Sequence, residues 1–423
     1  MSRVVSAVWS PHPADVVGLP RRHRQPCRYD AFIPDALVGQ EVVLPADVIA
    51  DVSDAERAVQ RLNSSDLPYR GYEAVARLLL RAEAVASSRI EGLEIGGRRL
   101  ARADAARAAD GSSSDEGAAE VLGNIDAMRA AVDDVARRSR VGVDGICDIH
   151  RALLAGTRDA SWAGQVRDRQ NWIGGSSYNP CRADFVPPPP GEVGALLDDL
   201  AEYLESDWHS PLVQAAIAHA QFETIHPFAD GNGRTGRALI HVVLTRRALS
   251  PRHVPPISLV LVTRSQDYVA GLTSYRAAPE DPSGLAEWVA VFAAATTEAC
   301  ERVAGLTAGL AELAQRWREK VGTVRAGSTV AQLLDEVLPQ TPVLTVAQLV
   351  KLTGRSNQAV NEAVDRLHAA GVLKQTTAGR RNRAFEVDGL IDLITGFERS
   401  LASPAGDTAV EPPARPVPRR VGR

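Results

Sequence analysis

Residues 226–237 read His226-Pro-Phe-Ala-Asp-Gly-Asn-Gly-Arg-Thr-Gly-Arg237, a glycine-rich loop ending in two arginines. Upstream, Leu212, Val213, Ala216, Ile217, Ala220, Phe222 and Ile225 keep helical spacing, so the loop leaves a helix and not a strand. That context decides how the glycines are read. Gly231-Asn-Gly233-Arg-Thr-Gly236 satisfies G-x-G-x-x-G, but the dinucleotide-binding turn of that spelling follows a strand, and here an alanine-rich helix stands in its place.

The loop instead sets complementary groups between two helices. Gly231, Gly233 and Gly236 leave backbone N–H groups uncovered where the second helix starts, which makes an anion cradle. Arg234 and Arg237 are three apart, hence on one helix face, where both guanidiniums can reach successive phosphates. Asp230 can bridge to phosphate through Mg²⁺, and His226 can accept a proton near neutral pH. Together they describe attack by a hydroxyl on a nucleotide phosphorus, driven by positioning and charge neutralisation. Phe228 reads as an apolar plug that holds the loop on the core.

Helical periodicity dominates elsewhere. It predicts helices over Tyr72–Ile90, with Gly92 as the stop, and over Ala118–Val135, Asp144–Leu154, Gly194–Leu204, Pro211–Ile225, Leu239–Leu249, Ser265–Ser274 and Leu285–Val321. Residues 1 to about 50 read as an extended arm, 101–117 as a mobile connector, and 165–190 as a turn-rich hairpin. Val346–Leu352 and Ser356–Ala370 form two helices across a Thr353-Gly354-Arg355 turn, followed by strand-like 372–375, a basic turn 379–383 and 384–387, which is a winged helix-turn-helix pattern. The expected organisation is an arm and regulatory helix over 1–110, a catalytic domain over 111–325, the winged helix over 326–398 and a disordered tail over 399–423.

The loop matches the signature H-x-F-x-D/E-G-N-G-R-x-x-R of the Fic (filamentation induced by cAMP) family at every defined position. Ala218–Ile225, Gly164–Gly174 and Trp288 within 285–292 also resemble that family, over roughly residues 30–300. The resemblance implies a mainly α fold: a Fic-type helical bundle with a β-hairpin flap. It implies that His226 deprotonates the hydroxyl of a target protein and that Asp230 holds Mg²⁺. Gly231, Asn232, Gly233, Thr235 and Gly236 would line the phosphate site, Asn232 and the glycine N–H groups holding the α-phosphate and Arg234 and Arg237 the phosphates beyond. Tyr268 is similar to the aromatic residue lining the adenine pocket. The implied activity is transfer of AMP from ATP to a Ser, Thr or Tyr hydroxyl, of a target or of the chain itself. Asn171, Ile173 and Gly174 lie in the segment that resembles the target-docking flap, where exposed main chain would take up an extended target strand.

Ser87-Ser-Arg-Ile-Glu91-Gly92 resembles the family's N-terminal (class II) inhibitory motif, in which a carboxylate from Glu91 would pair with Arg237 and displace the γ-phosphate. An intramolecular clamp is the simplest geometry, with control through a homodimer as the alternative. In the C-terminal unit, Lys351, Arg355, Arg366, Lys374, Arg380, Arg381 and Arg383, with Ser356, Asn357 and Gln358 at a helix start, suit a DNA duplex, and a protein-interaction module is the competing role. The competing activities are transfer of another nucleotide or a phosphoryl group, and a DNA-binding regulator that only senses nucleotide.

Bulk properties bound these readings. The 423 residues carry a net charge of -4, so no whole-chain field drives nucleic-acid or membrane binding. Cys27, Cys147, Cys181 and Cys300 lack metal-site spacing and are expected as reduced thiols. Without a signal-like start or an apolar run of membrane length, the expected address is the cytoplasm.

Overall fold

The computed structural model describes residues 2–10, 25–64, 71–110, 115–176, 178–277, 283–376 and 383–402. The chain opens with β1 (Arg3–Trp9) and β2 (Cys27–Ile33), antiparallel and in register from Arg3↔Ile33 to Trp9↔Cys27. Helices follow: α1 (Ala46–Leu62), α2 (Tyr72–Ile90), α3 (Gly97–Asp110), α4 (Glu116–Arg129), α5 (Gly142–Leu154), α6 (Pro190–Leu204), α7 (Pro211–Ile225), α8 (Asn232–Arg246), α9 (Ile257–Thr263), α10 (Ser265–Ala277) and the long α11 (Ser283–Val321).

The centre of the bundle is the pair α7 and α8. Every residue of Leu212–Ile225 is buried, as is every residue of Asn232–Leu244. A helix buried on all faces must be enclosed by other helices, and α1, α2, α4, α5, α6, α10 and α11 supply that shell. The residues between α7 and α8 are therefore held at the middle of the fold.

After α11 come α12 (Thr329–Gln332), β3 (Val343–Thr345), α13 (Val346–Thr353), α14 (Asn357–Ala369), β4 (Leu373–Gln375), β5 (Ala384–Val387) and α15 (Leu390–Ala402), with a sheet ordered β3-β5-β4. Thr345 and Gln348 form a capping box on α13, and Gly354, left-handed at φ 65°, ends it. This unit packs on the long helix through Trp317, whose Nε1 donates to the Asp388 carbonyl at 3.0 Å, and on α2 through an Arg89–Glu398 ion pair.

Three expectations are corrected. The N-terminal arm is a paired hairpin, because Val4–Val8 and Arg28–Phe32 satisfy each other's backbone groups. The connector expected over 101–117 is helix α3 up to Asp110, fastened to α2 and α4 by the Arg81–Asp104 and Arg107–Asp126 ion pairs, with 111–114 outside the described residues. Cys27 and Cys181, expected as separate thiols, form a disulfide with a Cα–Cα distance of 5.7 Å; β2 lies beside the flap, and Phe32 N–H also donates to Val186 at 3.0 Å. Cys147 and Cys300 are free. The basic turn at 379–382 and the tail from 403 lie outside the described residues.

Candidate active site

Helix α7 ends at Ile225, and His226 takes its C-cap position in the left-handed region, φ 50° and ψ 60°. A β-carbon there costs strain, so the conformation persists only where the surroundings impose it. They do. Arg167, 7% exposed, donates from Nε to the His226 carbonyl at 2.8 Å and from Nη2 to those of Pro188 at 2.6 Å and Ile225 at 3.3 Å. The His226 and Ile225 carbonyls are ones that the end of α7 leaves open, at the negative end of the helix dipole.

The loop is closed by its own residues. Asn232 Oδ1 accepts from Phe228 N–H at 2.8 Å and its Nδ2 donates to the Phe228 carbonyl at 2.8 Å. Both ends of that amide shape the loop, and Nδ2 keeps its second N–H for a ligand. Phe228 is fully buried, stacked on His150 with ring centroids 3.8 Å apart. His150 accepts from Gly164 N–H at Nδ1, 3.0 Å, and therefore donates from Nε2 to the Asp230 carbonyl at 3.1 Å. Burial, with Arg234 and Arg151 nearby, holds that ring neutral, its pKa down at about 4.

Gly231 starts α8 at φ 76°, where an added β-carbon would also lie 2.8 Å from Leu153 Cδ2. Thr235 N–H closes onto the Gly231 carbonyl at 3.0 Å, and the N–H groups of Asn232, Gly233 and Arg234 precede the first helical bond. Beneath them, Arg234 is 4% exposed, yet its Nε and Nη1 have no hydrogen-bond partner; Nη2 reaches Asp230 at 3.4 Å. Thr235 Oγ1 is also buried and unpaired, and the Asp230 carboxylate is open to solvent at 66%. A buried cation with unsatisfied donors beside an open helix N-terminus fits an anion of more than one charge. Among the described residues no three carboxylate, histidine or cysteine side chains gather as a metal site, so a divalent ion here would need ligand oxygens beside Asp230.

Arg237 is 1% exposed and fully engaged. Its Nε donates to Ser87 Oγ at 2.9 Å, and Nη2 donates to the Ser87 carbonyl at 2.8 Å and to Glu91 Oε1 at 2.7 Å. Glu91 is the C-cap of α2, followed by Gly92 at φ 78°. A carboxylate at a helix C-terminus has the wrong sign for the dipole, and Arg237 compensates. Burial is the largest influence on Glu91 and pushes its pKa up, but Arg237, Arg234 and His226 outweigh it and hold the carboxyl below its ordinary value. A β-carbon on Gly233 would lie 1.9 Å from Glu91 Oε1, so the carboxylate sits directly against the first turn of α8.

Tyr268 is 4% exposed beneath His219 and Trp288; its hydroxyl lies 2.9 Å from His219 Nε2 and 3.5 Å from Arg237 Nη1. There it buttresses Arg237. Asn171 likewise turns inward, its Nδ2 donating to the His226 and Phe228 carbonyls at 3.2 and 3.0 Å. Ile173 pairs both main-chain groups with 184–185 inside the flap, and Gly174, at φ 74°, packs on Asp184. Ile173 and Phe185 form an isolated antiparallel bridge.

Sequence reading missed Arg167, His150, Glu223 and the buried trio Glu83, His241 and Ser258. Glu83 accepts from Ser258 N–H at 2.8 Å and Ser258 Oγ at 2.6 Å, and lies 3.0 Å from His241 Nε2. The spacings 83, 87, 91 on α2 and 237, 241 on α8 each advance by four, the one local signal that these faces meet.

Parts of the chain are similar to known proteins. Residues 141–244 match the Fic/DOC family and residues 49–133 the Fic/DOC family N-terminal region. The curated Protein adenylyltransferase Fic of Drosophila willistoni is 34% identical over 151 residues, 35% of this chain and 28% of that protein, and its Drosophila melanogaster counterpart gives the same values. The match thus spans little more than a quarter of the length of these relatives. A Fic family protein from Desulfovibrio desulfuricans G20 superposes with a TM-score of 0.49 at 18% identity, covering 83% of this chain and 99% of that one. Both matched segments, the first of them holding the His226–Arg237 loop, are therefore similar to the Fic/DOC family and its N-terminal region.

Proposed function

We propose that this chain is a protein adenylyltransferase, held inactive by Glu91, that transfers AMP from ATP to a Ser, Thr or Tyr hydroxyl. The observation that carries the reading is the pair of arginines on α8: Arg234 keeps buried donors unpaired, while Arg237 is occupied by a carboxylate. One arginine is ready for phosphate, and the other already holds an anion in its place. The name of the relatives, Protein adenylyltransferase Fic, supports the chemistry.

In the active arrangement, the N–H groups of Asn232, Gly233 and Arg234 and the Arg234 guanidinium bind the phosphates. Asp230 would hold Mg²⁺ together with phosphate oxygens; when bound, the ion neutralises charge on the departing pyrophosphate. Burial, with Arg276 and Arg167, brings His226 down to about pKa 4, so the ring is neutral at physiological pH and able to accept the hydroxyl proton. An extended target segment would pair with the flap. With Glu91 on Arg237, the phosphate beyond loses its guanidinium and the α-phosphorus is misplaced for in-line attack.

The C-terminal unit reads as a winged helix. Its cations favour an internal role: Arg355 bonds Gln332 and the Gly327 carbonyl, Arg366 the Val321 and Thr323 carbonyls, Lys374 pairs with Asp388 and Arg383 with Asp365. These four are paired within the chain, while Lys351 is exposed and Arg380 and Arg381 lie outside the described residues.

The deciding experiment is intact mass of the Glu91→Gly protein after incubation with ATP and Mg²⁺, alongside label transfer. Label from the α-phosphate on protein supports AMP transfer; γ label alone would replace it with phosphoryl transfer. ATP binding with neither would make the chain a nucleotide sensor.

A further inference from the structure

Next to His226 lies a carboxyl group with no assigned work. Glu223, one turn back on α7, is 6% exposed, and its Oε2 lies 3.9 Å from His226 Nδ1. Glu223 Oε1 and His226 Nδ1 are both buried without hydrogen-bond partners. A buried carboxyl oxygen left without a hydrogen bond costs free energy, which calls for an explanation. The spacing is wider than a hydrogen bond, and a small side-chain adjustment closes it.

The charge around the ring makes the pairing consequential. Arg276 and Arg167 face His226 from α10 and from the segment before the flap and disfavour its protonation; Glu91 on α2 and the Glu223 main chain favour it. Arg237 on α8, Glu91 and Arg276 face Glu223. Once Glu91 withdraws for ATP to bind, Glu223 is the carboxylate left to balance a cationic imidazole.

We propose that Glu223 is a positioning residue for His226: its carboxylate takes the Nδ1–H, fixes the tautomer with Nε2 free, and holds the imidazolium formed during transfer. The inference rests on the AMP-transfer reading. In that step the acceptor oxygen bonds to the α-phosphorus and the bond from that phosphorus to the bridging oxygen breaks. Pyrophosphate leaves, and the hydroxyl proton moves to Nε2. Were Glu223 protonated, its O–H would face Nδ1 and favour the tautomer with Nε2 already blocked. Burial raises Glu223 to a pKa of about 7, with Glu91 adding to the rise and Arg237 and Arg276 opposing it, so release of Glu91 favours the ionised form. Clearing the phosphate site and setting the base are thereby linked.

The test uses the full chain in the Glu91→Gly background. Glu223→Gln is expected to lower kcat about ten-fold at neutral pH, leave the KM for ATP within about two-fold, and move the acid limb of kcat to lower pH. Glu223→Asp should keep the limb. An unchanged kcat and limb in the Gln variant overturns the proposal. A second readout needs no activity: ¹⁵N shifts of the His226 ring, assigned by their loss in His226→Ala. Without Glu223→Gln the ring should pass to the Nδ1–H tautomer as pH rises through Glu223 ionisation, and with it stay flat. A flat ring in both overturns the pairing. A ring that titrates in a protein transferring no AMP would refute the functional reading and leave the pairing standing.

Discussion

Arg237 Nη2 and Glu91 Oε1 lie 2.7 Å apart, joining helices separated by 146 residues of sequence. Ser87 on α2 and Tyr268 on α10 take neighbouring donors, and Glu91 is the anion that holds the guanidinium. Glu91→Gly frees it. AMP transfer, including self-modification, is expected to rise at least about ten-fold, the factor corresponding to about 1.4 kcal/mol. Equal labelling of the two proteins would rule out Glu91 as a brake.

Acid alone should not release that pair. The Glu91 pKa is depressed, so its stabilising contribution is present above the unfolded value and lost only as pH falls through the lower folded value. Lowering the pH from about 7 to about 5 therefore leaves the pair intact. ATP affinity that recovers at pH 5 in the wild type, and not in Glu91→Gly, would contradict this sign.

His226→Ala should abolish transfer and keep ATP binding, because the phosphates meet α8 and not the ring. The comparison is label transfer against nucleotide affinity in the same preparation. Loss of both would mean that the αL turn at His226 is needed to hold the loop.

Glu83→Ala removes the partner of Ser258 and His241 at once and leaves buried polar groups unsatisfied. A stability loss of about 3–5 kcal/mol is expected by denaturant unfolding. Since Glu83 lies on the same stripe of α2 as Ser87 and Glu91, transfer in the surviving folded protein should also rise. A variant as stable as wild type would show that the trio is not holding α2 on α8.

The disulfide offers a separate test of the flap. Cys27→Ser should lower the thermal midpoint, with a loss of about 2–5 kcal/mol, and a reducing agent should have no further effect on that variant. An unchanged midpoint under reduction would show that the bridge contributes nothing to the fold.

Local pattern carried a good part of this protein. Helix α2 occupies the Tyr72–Ile90 range that apolar spacing predicts, and Gly92 ends it because its φ of 78° suits glycine. The loop residues sit together since they are neighbours in sequence, and the pairing of Glu91 with Arg237 was reachable from a motif spanning both ends. Helix α3 was misread because its alanine, aspartate and arginine run has little apolar periodicity; ion pairs to α2 and α4 add to the burial of Leu100 and Ala103. The hairpin at 3–33 was missed because each strand gains its partner across the segment between them.

What the sequence alone determined is the chemistry on offer: a base, a carboxylate, two arginines and exposed N–H groups in twelve consecutive residues between helices. Only the tertiary structure decided how each is spent. It turned Asn232 and Asn171 inward onto Phe228, stood Tyr268 behind Arg237, joined Cys27 to Cys181 and set Glu223 beside His226. The reason is physical. Periodicity reports which face of a segment is apolar, whereas the partner of a buried polar group is chosen by whichever distant segment packs against it.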